Sequence, residues 1–196
     1  MLTFFRRPRP RIETERLFMR PPERGDHAEW ARLRRESEGF LRGWEPLWSR
    51  DHLGATAFRN RVAWARAMIE GDRGLPMFLF RRSDAALIGA ITLDNIRRGP
   101  AQSGTVGYWV GERYARQGYM REALTALVHF AFTELDLSRI EAACLPENTA
   151  SRGLLERVGF KYEGVAQAYL QINGRWRTHV LYAILRSDRR GPSDAS

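Results

Sequence analysis

The sequence predicts an α+β fold: a single mixed, mostly antiparallel sheet of about seven strands flanked by about four helices. Three observations carry this prediction. Strand-like runs at 77–81, 87–93 and 105–110 follow one another across short turns at Ser83-Asp84 and Arg98-Gly99-Pro100, the spacing of antiparallel neighbours. A helical stripe (Met120, Ala123, Leu124, Leu127, Val128, Ala131, Leu135) then separates the 105–110 strand from the next, at 139–145. Finally, Asn173-Gly174 joins long runs at 160–172 and 176–185, and Asn-Gly is the dipeptide that a two-residue hairpin favours.

The remaining elements follow in order. Residues 1–11, with RRPRP at 6–10, read as an extended basic arm. A first strand at 14–20 is stopped by Pro21-Pro22. Asp26 and Glu29 have capping-box spacing and open a helix to about Glu38, with Trp30 and Leu33 facing inward. The stretch FLRGWEPLW at 40–48 is too rich in Gly, Pro and Trp for a regular element. A helix at 55–70 presents Phe58, Val62, Ala65 and Ile69 at helical spacing. Another at 150–158 is closed by Gly159. One domain thus spans 12–186, followed by a frayed tail at 187–196.

Composition narrows the class. A chain of 196 residues, 43% of them hydrophobic, fits one core. No apolar run approaches the roughly 18–20 residues of a membrane span, and the first residues lack the pattern of a signal peptide. Cys144, the single cysteine, excludes an intrachain disulfide and fits a reducing compartment. These observations predict a soluble cytoplasmic protein and leave the oligomeric state open. The net charge of +9 calls for an acidic partner, either nucleic acid or a phosphorylated ligand. Lys161 is the only lysine, and the arginines are scattered rather than gathered with aromatics. The scatter argues against nucleic acid as the primary partner, and genomic base composition alone also produces such an arginine skew.

The stretch YARQGYMREA at 114–123 poses a problem. Arg116 and Arg121 flank Gly118 where a helix begins, so positive charge sits at the positive end of the helix dipole. An anion held by the first backbone N–H groups would make both arginines favourable, with Gly118 letting the backbone approach closely. An ordinary helix start with solvated arginines accounts for the same residues. The segment lacks both the P-loop pattern and the G-x-G-x-x-G of a dinucleotide fold. A second segment, PENTASRGLLERVGFKYEG at 146–164, places Asn148 between a strand and a short helix.

Together the two segments resemble the acetyl-coenzyme A site of the GNAT (Gcn5-related N-acetyltransferase) superfamily. The superfamily loop is [QR]-x-x-G-x-[GA]; here Ala115 and Met120 depart from it and Gly118 is kept. Methionine followed by x-E-A-L, the stretch FLRGWEP at 40–46 and AYLQINGRWRTHVL at 168–181 resemble the RimJ-type branch, alanine N-acetyltransferases of ribosomal proteins. The resemblance covers about residues 12–186. It implies a cleft where two central parallel strands, 105–110 and 139–145, splay apart. Acetyl-CoA would be the co-substrate, with no metal. Tyr108, Trp109 and Val110 would pair with the pantetheine arm, with the Val110 N–H polarising the thioester carbonyl. The backbone of Arg116, Gln117, Gly118, Tyr119, Met120 and Arg121 would hold the pyrophosphate. Asn148 would bond the pantetheine arm and fix the last helix.

The resemblance also raises two proton questions. Many members return a proton to the thiolate from a tyrosine seven residues after the asparagine, where this chain has Leu155. Ser151 is the nearest polar candidate, and it also reads as a plain helix-start serine. For the opposite task no general base stands out: Glu45, Asp94 and Glu141 are the candidate carboxylates, and each reads more readily as a solvated charge. Cys144 reads as a buried strand residue, Trp44, Trp48 and Trp64 either pack or line a groove, and the histidines lack metal-ligand spacing. The expected acceptor is the α-amine of a ribosomal protein, with ribosome contact. Small amines such as amino acids, polyamines or aminoglycosides, and a ribosome-assembly role without catalysis, remain the alternatives.

Overall fold

The computed structural model describes residues 10–189, which build one eight-stranded sheet in the order β1-β2-β3-β4-β5-β6-β8-β7. The strands are β1 (Ile12–Glu13), β2 (Leu17–Arg20), β3 (Leu75–Arg81), β4 (Leu87–Arg97), β5 (Ser103–Val110), β6 (Arg139–Cys144), β7 (Lys161–Ile172) and β8 (Arg175–Leu185). The helices are α1 (His27–Glu36), α2 (Glu38–Leu41), α3 (Ala55–Glu70), α4 (Tyr119–Thr133) and α5 (Thr149–Val158). Every neighbouring pair is antiparallel except β5–β6. A parallel pair needs a long crossover, and α4 supplies it.

Strand β3 is buried along Leu75–Phe80, which requires cover on both faces of the sheet. On one face Trp30 of α1 packs on Phe58 of α3 (5.0 Å), and Phe58 reaches Phe78 of β3 (6.2 Å). On the other, the predicted stripe of α4 is sealed: Ala123, Leu124, Leu127, Val128 and Ala131 are all at 0% exposure. Asn173 and Gly174 both take positive φ (46° and 77°), so the β7–β8 turn has the backbone that selects Asn-Gly.

Four expectations are corrected. The first strand is a hairpin of β1 and β2, because the Thr14 N–H bonds the Leu17 carbonyl and folds the chain back, giving the eighth strand. The first capping box lies three residues earlier than predicted: Glu23 and Asp26 cap each other around a 3-10 turn, Arg24–Asp26. Asp26 also takes both guanidinium arms of Arg20, while Glu29 accepts the Leu87 N–H at 2.8 Å. The stretch expected to be irregular begins inside the short helix α2. Arg186–Arg189 form a further 3-10 turn, with Asp188 paired to Lys161, so the predicted tail starts in ordered structure. The rest of that tail, and residues 1–9 of the predicted arm, lie outside the described residues.

What positions the site is a mismatch of lengths. The β5–β6 pairing runs from Ser103↔Arg139 only to Val106↔Ala142, yet β5 continues to Val110 and β6 to Cys144. The two strands part, and the expected cleft opens between them.

Candidate active site

The far edge of β5 is open to this cleft. Gly111 N–H bonds the Ile88 carbonyl (2.9 Å), and the register continues Gly89↔Val110 and Ile91↔Tyr108. Hydrogen-bonded and non-hydrogen-bonded pairs alternate along an antiparallel ladder, so the backbone groups of Tyr108 and Val110 point away from β4. With β6 gone beyond Val106, they face the cleft. A continuous cavity of about 1570 Å³ follows, lined by Tyr108, Trp109, Val110, Arg116, Gly118, Tyr119, Met120, Arg121, Asn148 and Ser151. Gln117 is the predicted site residue outside it; its side chain turns back to the Arg113 carbonyl (2.7 Å).

Gly118 is the N-cap of α4 at φ +81°, and Arg116 is also left-handed at +60°. A Cβ on Gly118 would be strained there and would meet Arg16 Nη2 at 3.3 Å. Arg16 clamps the loop: its N–H and Nε–H donate to Glu122 at 2.8 and 2.7 Å, and Nη1 to the Gln117 carbonyl at 3.1 Å. Thr14 adds a 2.6 Å bond to Glu122. The acidic residue that would soften the helix dipole is thereby committed to Arg16. Arg116 and Arg121 line the cavity without a hydrogen bond or ion pair among the described residues. Two unpaired guanidiniums at a bare helix N-terminus are the arrangement that an anion would satisfy. Arg16, over a hundred positions from the loop, was missed because no local pattern connects it to Gly118.

On the opposite wall, Asn148 caps α5 by accepting the Ser151 N–H (3.0 Å), as expected. The Ser151 hydroxyl meets the Tyr108 hydroxyl at 2.8 Å. Burial pushes the Tyr108 phenol well above its ordinary range, so it stays protonated. Leu155 is 1% exposed in the core. The phenol absent from α5 is thus present on β5 and reaches the helix serine from across the cleft. Cys144 is buried beside Ser151, and burial pushes its thiol up.

The other side of the cavity is made of side chains from distant segments. Successive side chains along a strand alternate faces. Cys144 pairs with Val180, so His179 points to the face opposite Cys144 and Ser151, as Trp109 does opposite Tyr108. On that face Arg34 of α1, 4% exposed, gives both guanidinium arms to Glu45 and lies over the rings of Trp48 (4.2 Å) and Trp109 (4.7 Å). Trp48 Nε1–H also donates to Glu45 (2.9 Å), and the Glu45 carbonyl accepts the Asn173 N–H (2.9 Å), tying the tryptophan-rich loop to the β7–β8 turn. Trp44, Trp48 and Trp64 all line the cavity, and Trp48 is also packed on Arg34.

The three candidate carboxylate bases are occupied or misplaced. Glu45 is held by Arg34, Glu141 by Arg97 and Arg139, and Asp94 bonds the neighbouring Asn95 N–H outside the cavity. His179, considered in the sequence only for metal spacing, lines the cavity at 2% exposure. A carbonyl can only accept, so the 2.9 Å contact of Nδ1 with the Arg177 carbonyl fixes the proton on Nδ1. The neutral ring then carries its lone pair on Nε2. No group of three potential metal ligands occurs among the described residues.

A parallel pair that splits beside a cationic helix start, with a polar hydroxyl pair on one side and an aromatic chamber on the other, defines a two-substrate transferase cleft. Comparison gives the family: residues 16–161 match the model of the acetyltransferase (GNAT) domain, and the chain belongs to that family of N-acetyltransferases. It is similar to the probable N-acetyltransferase YjcK of Bacillus subtilis, at 33% identity over 90% of this chain and 98% of the relative. It is also similar to the ribosomal protein uS5-alanine N-acetyltransferase of Escherichia coli, at 32% identity over 92% of this chain and 93% of the relative. Among solved structures, Mycobacterium smegmatis RimJ in complex with CoA-disulfide superposes with a TM-score of 0.84 at 33% identity, covering 89% of this chain and 84% of that one.

Proposed function

We propose that this enzyme transfers acetyl from acetyl-CoA to the N-terminal α-amine, alanine first, of a ribosomal protein. The observation that carries the reading is the cavity itself: one continuous space joins Arg116 and Arg121 at the start of α4 to an aromatic-lined chamber at the free edge of β5. The relatives named for ribosomal-protein alanine support the acceptor class. The chain's +9 charge suits approach to a ribosome, and the cytoplasm is where such substrates are made.

Acetyl-CoA supplies an activated acyl group as its thioester. Arg116, Arg121 and the first turn of α4 bind its phosphates, and the exposed edge of Tyr108 and Val110 takes its amide arm as an added strand. The Val110 N–H, unpaired at that edge, would donate to the carbonyl and polarise it. Bringing amine and thioester together supplies most of the acceleration, and the residues then move two protons. His179 Nε2 accepts the proton of the attacking amine as the N–C bond forms. Ser151 gives its hydroxyl proton to sulfur as the C–S bond breaks, its Oγ held by the Tyr108 O–H. An α-amine near pKa 7.7–8.0 reaches its neutral form far more readily than a lysine near 10.4, so a modest base suffices.

The test is a panel of acceptors followed by mass spectrometry that locates the acetyl group. Peptides beginning with Ala should be acetylated on the first nitrogen and spared at internal lysines, and blocking the N-terminus should abolish the reaction. Faster acetylation of polyamines or aminoglycosides than of any such peptide would overturn the reading.

A further inference from the structure

Opposite His179, the acceptor chamber carries a charge imbalance that its own residues do not resolve. Arg34 is neutralised by Glu45, but its Nε is buried with no hydrogen-bond partner. Arg61 of α3 lines the same cavity and stacks over Trp30 at 5.2 Å. Among the described residues it makes no hydrogen bond and no ion pair. Burial and the nearby Arg34 charge both lower its pKa, with Glu45 pulling the other way. His52 lies between them, pushed down to about 4 by burial, Arg34 and Arg61 against Glu45 and Asp51, so it is neutral near pH 7 and adds no charge. Two guanidiniums thus face one carboxylate in an aromatic pocket. A half-buried guanidinium without an anion is costly, and a carboxylate is the group its fork fits best.

We propose that Arg61, backed by Arg34, is a carboxylate-binding site for the acceptor. The preferred substrate carries an anionic group close to its α-amine. This rests on the α-amine reading above and sharpens it, because it defines which N-termini are chosen. The carboxylate has two possible sources, an acidic side chain in the first residues of a peptide or the carboxyl group of a free amino acid. The side chain fits better: a chamber continuous with so large a cleft leaves room for a peptide, and a free amino acid would leave it underfilled.

The experiment uses the full chain and two readouts. Ala-initiated peptides carrying Glu at position 2, 3 or 4 are compared with their Gln twins and with free alanine against alaninamide. Binding is read by tryptophan fluorescence, since Trp30, Trp44, Trp48, Trp64 and Trp109 line the cavity, and acetylation by product mass. One Glu position should lower both Kd and KM roughly tenfold relative to Gln, the scale of one charge-assisted hydrogen bond. Arg61→Gln should bring the two twins within about twofold while kcat stays near wild type. Arg59→Gln, on the exposed face of α3, should keep the preference, and matching circular-dichroism melts show that both variants fold. Equal binding of all Glu and Gln twins, or a preference that survives Arg61→Gln, would overturn the site. A carboxylate preference seen only with free alanine would overturn the peptide source. A preference in binding without any acetylation would keep the site and refute the α-amine reading, while acetylation indifferent to the carboxylate would do the reverse.

Discussion

The two sides of the cleft are built by different means. The donor side is largely backbone: the free edge of β5, the left-handed turn at Gly118 and the N-termini of α4 and α5. The acceptor side is side chains: Arg34 from α1, Glu45 and Trp48 from the loop after α2, Arg61 from α3 and His179 from β8, gathered from four separated segments. Backbone recognition leaves short sequence marks, since a turn demands a particular residue at a particular place. Side-chain recognition requires only that remote positions converge.

The sharpest way to break the donor side is therefore through its backbone. Gly118→Asp forces a Cβ onto φ +81°, against Arg16, and sets a negative charge between Arg116 and Arg121. A non-glycine residue in this region costs about 1–2 kcal/mol, and the lost anion contacts add to it. Calorimetry should show CoA affinity reduced by at least about 100-fold, with Gly118→Ala falling between the two. Unchanged affinity in the Asp variant would remove the loop from the site.

This contrast also explains what was legible. Gly118 as a helix start, Asn148 as a helix cap, the Asn173-Gly174 turn and the α4 stripe were legible because each is a local pattern with a local cause. The parallel pair came from the resemblance, and the structure gives its cause: β5 and β6 run on past the end of their pairing. No base stood out in the sequence because a carboxylate looks the same there whether an arginine holds it or not; Glu141 and Glu45 are both held. His179 escaped notice because only the tertiary fold shows that its Nδ1 is engaged and its ring lines a cavity. For Ser151 the signal was partial: its place at the helix start was visible, but the Tyr108 hydroxyl across the cleft was not.

A smaller effect tests whether the two sides share the chemistry as assigned. Ser151→Ala should lower kcat by roughly 100-fold, the low end for general-acid catalysis, with CoA affinity near wild type. Tyr108→Phe should cost less, and the double variant little more than Ser151→Ala, because the phenol acts through the serine. On the acceptor side His179→Gln should lower kcat by a similar factor, and added imidazole should return part of it. Full activity in the serine variant would leave solvent as the proton donor. Failure of imidazole to rescue the histidine variant, with folding intact, would make His179 a packing residue.

The smallest effect isolates the electrostatics of the acceptor chamber from its chemistry. His52 is held neutral, its pKa lowered from 6.5 to about 4 by burial first and then by Arg34 and Arg61, while Glu45 and Asp51 oppose them. The unfolded chain therefore binds a proton at this position between those two values and the folded chain does not. By linkage, this residue's contribution is constant above about pH 6.5 and becomes increasingly destabilising as pH falls toward 4. The open side of the cavity screens the group, so the contribution stays at or below about 1 kcal/mol. His52→Gln removes the titration and keeps a polar side chain over Trp48, where the rings now stack at 4.8 Å. Melting curves between pH 7 and 4.5 should fall less steeply in the variant than in the wild type, with the two converging in slope above pH 6.5. Adding Arg61→Gln to the wild type should also flatten the fall, since one of the charges that keeps His52 neutral is gone. Parallel wild-type and His52→Gln curves through the whole range would mean that the imidazole is solvated, and that the chamber is less positive than its two arginines make it.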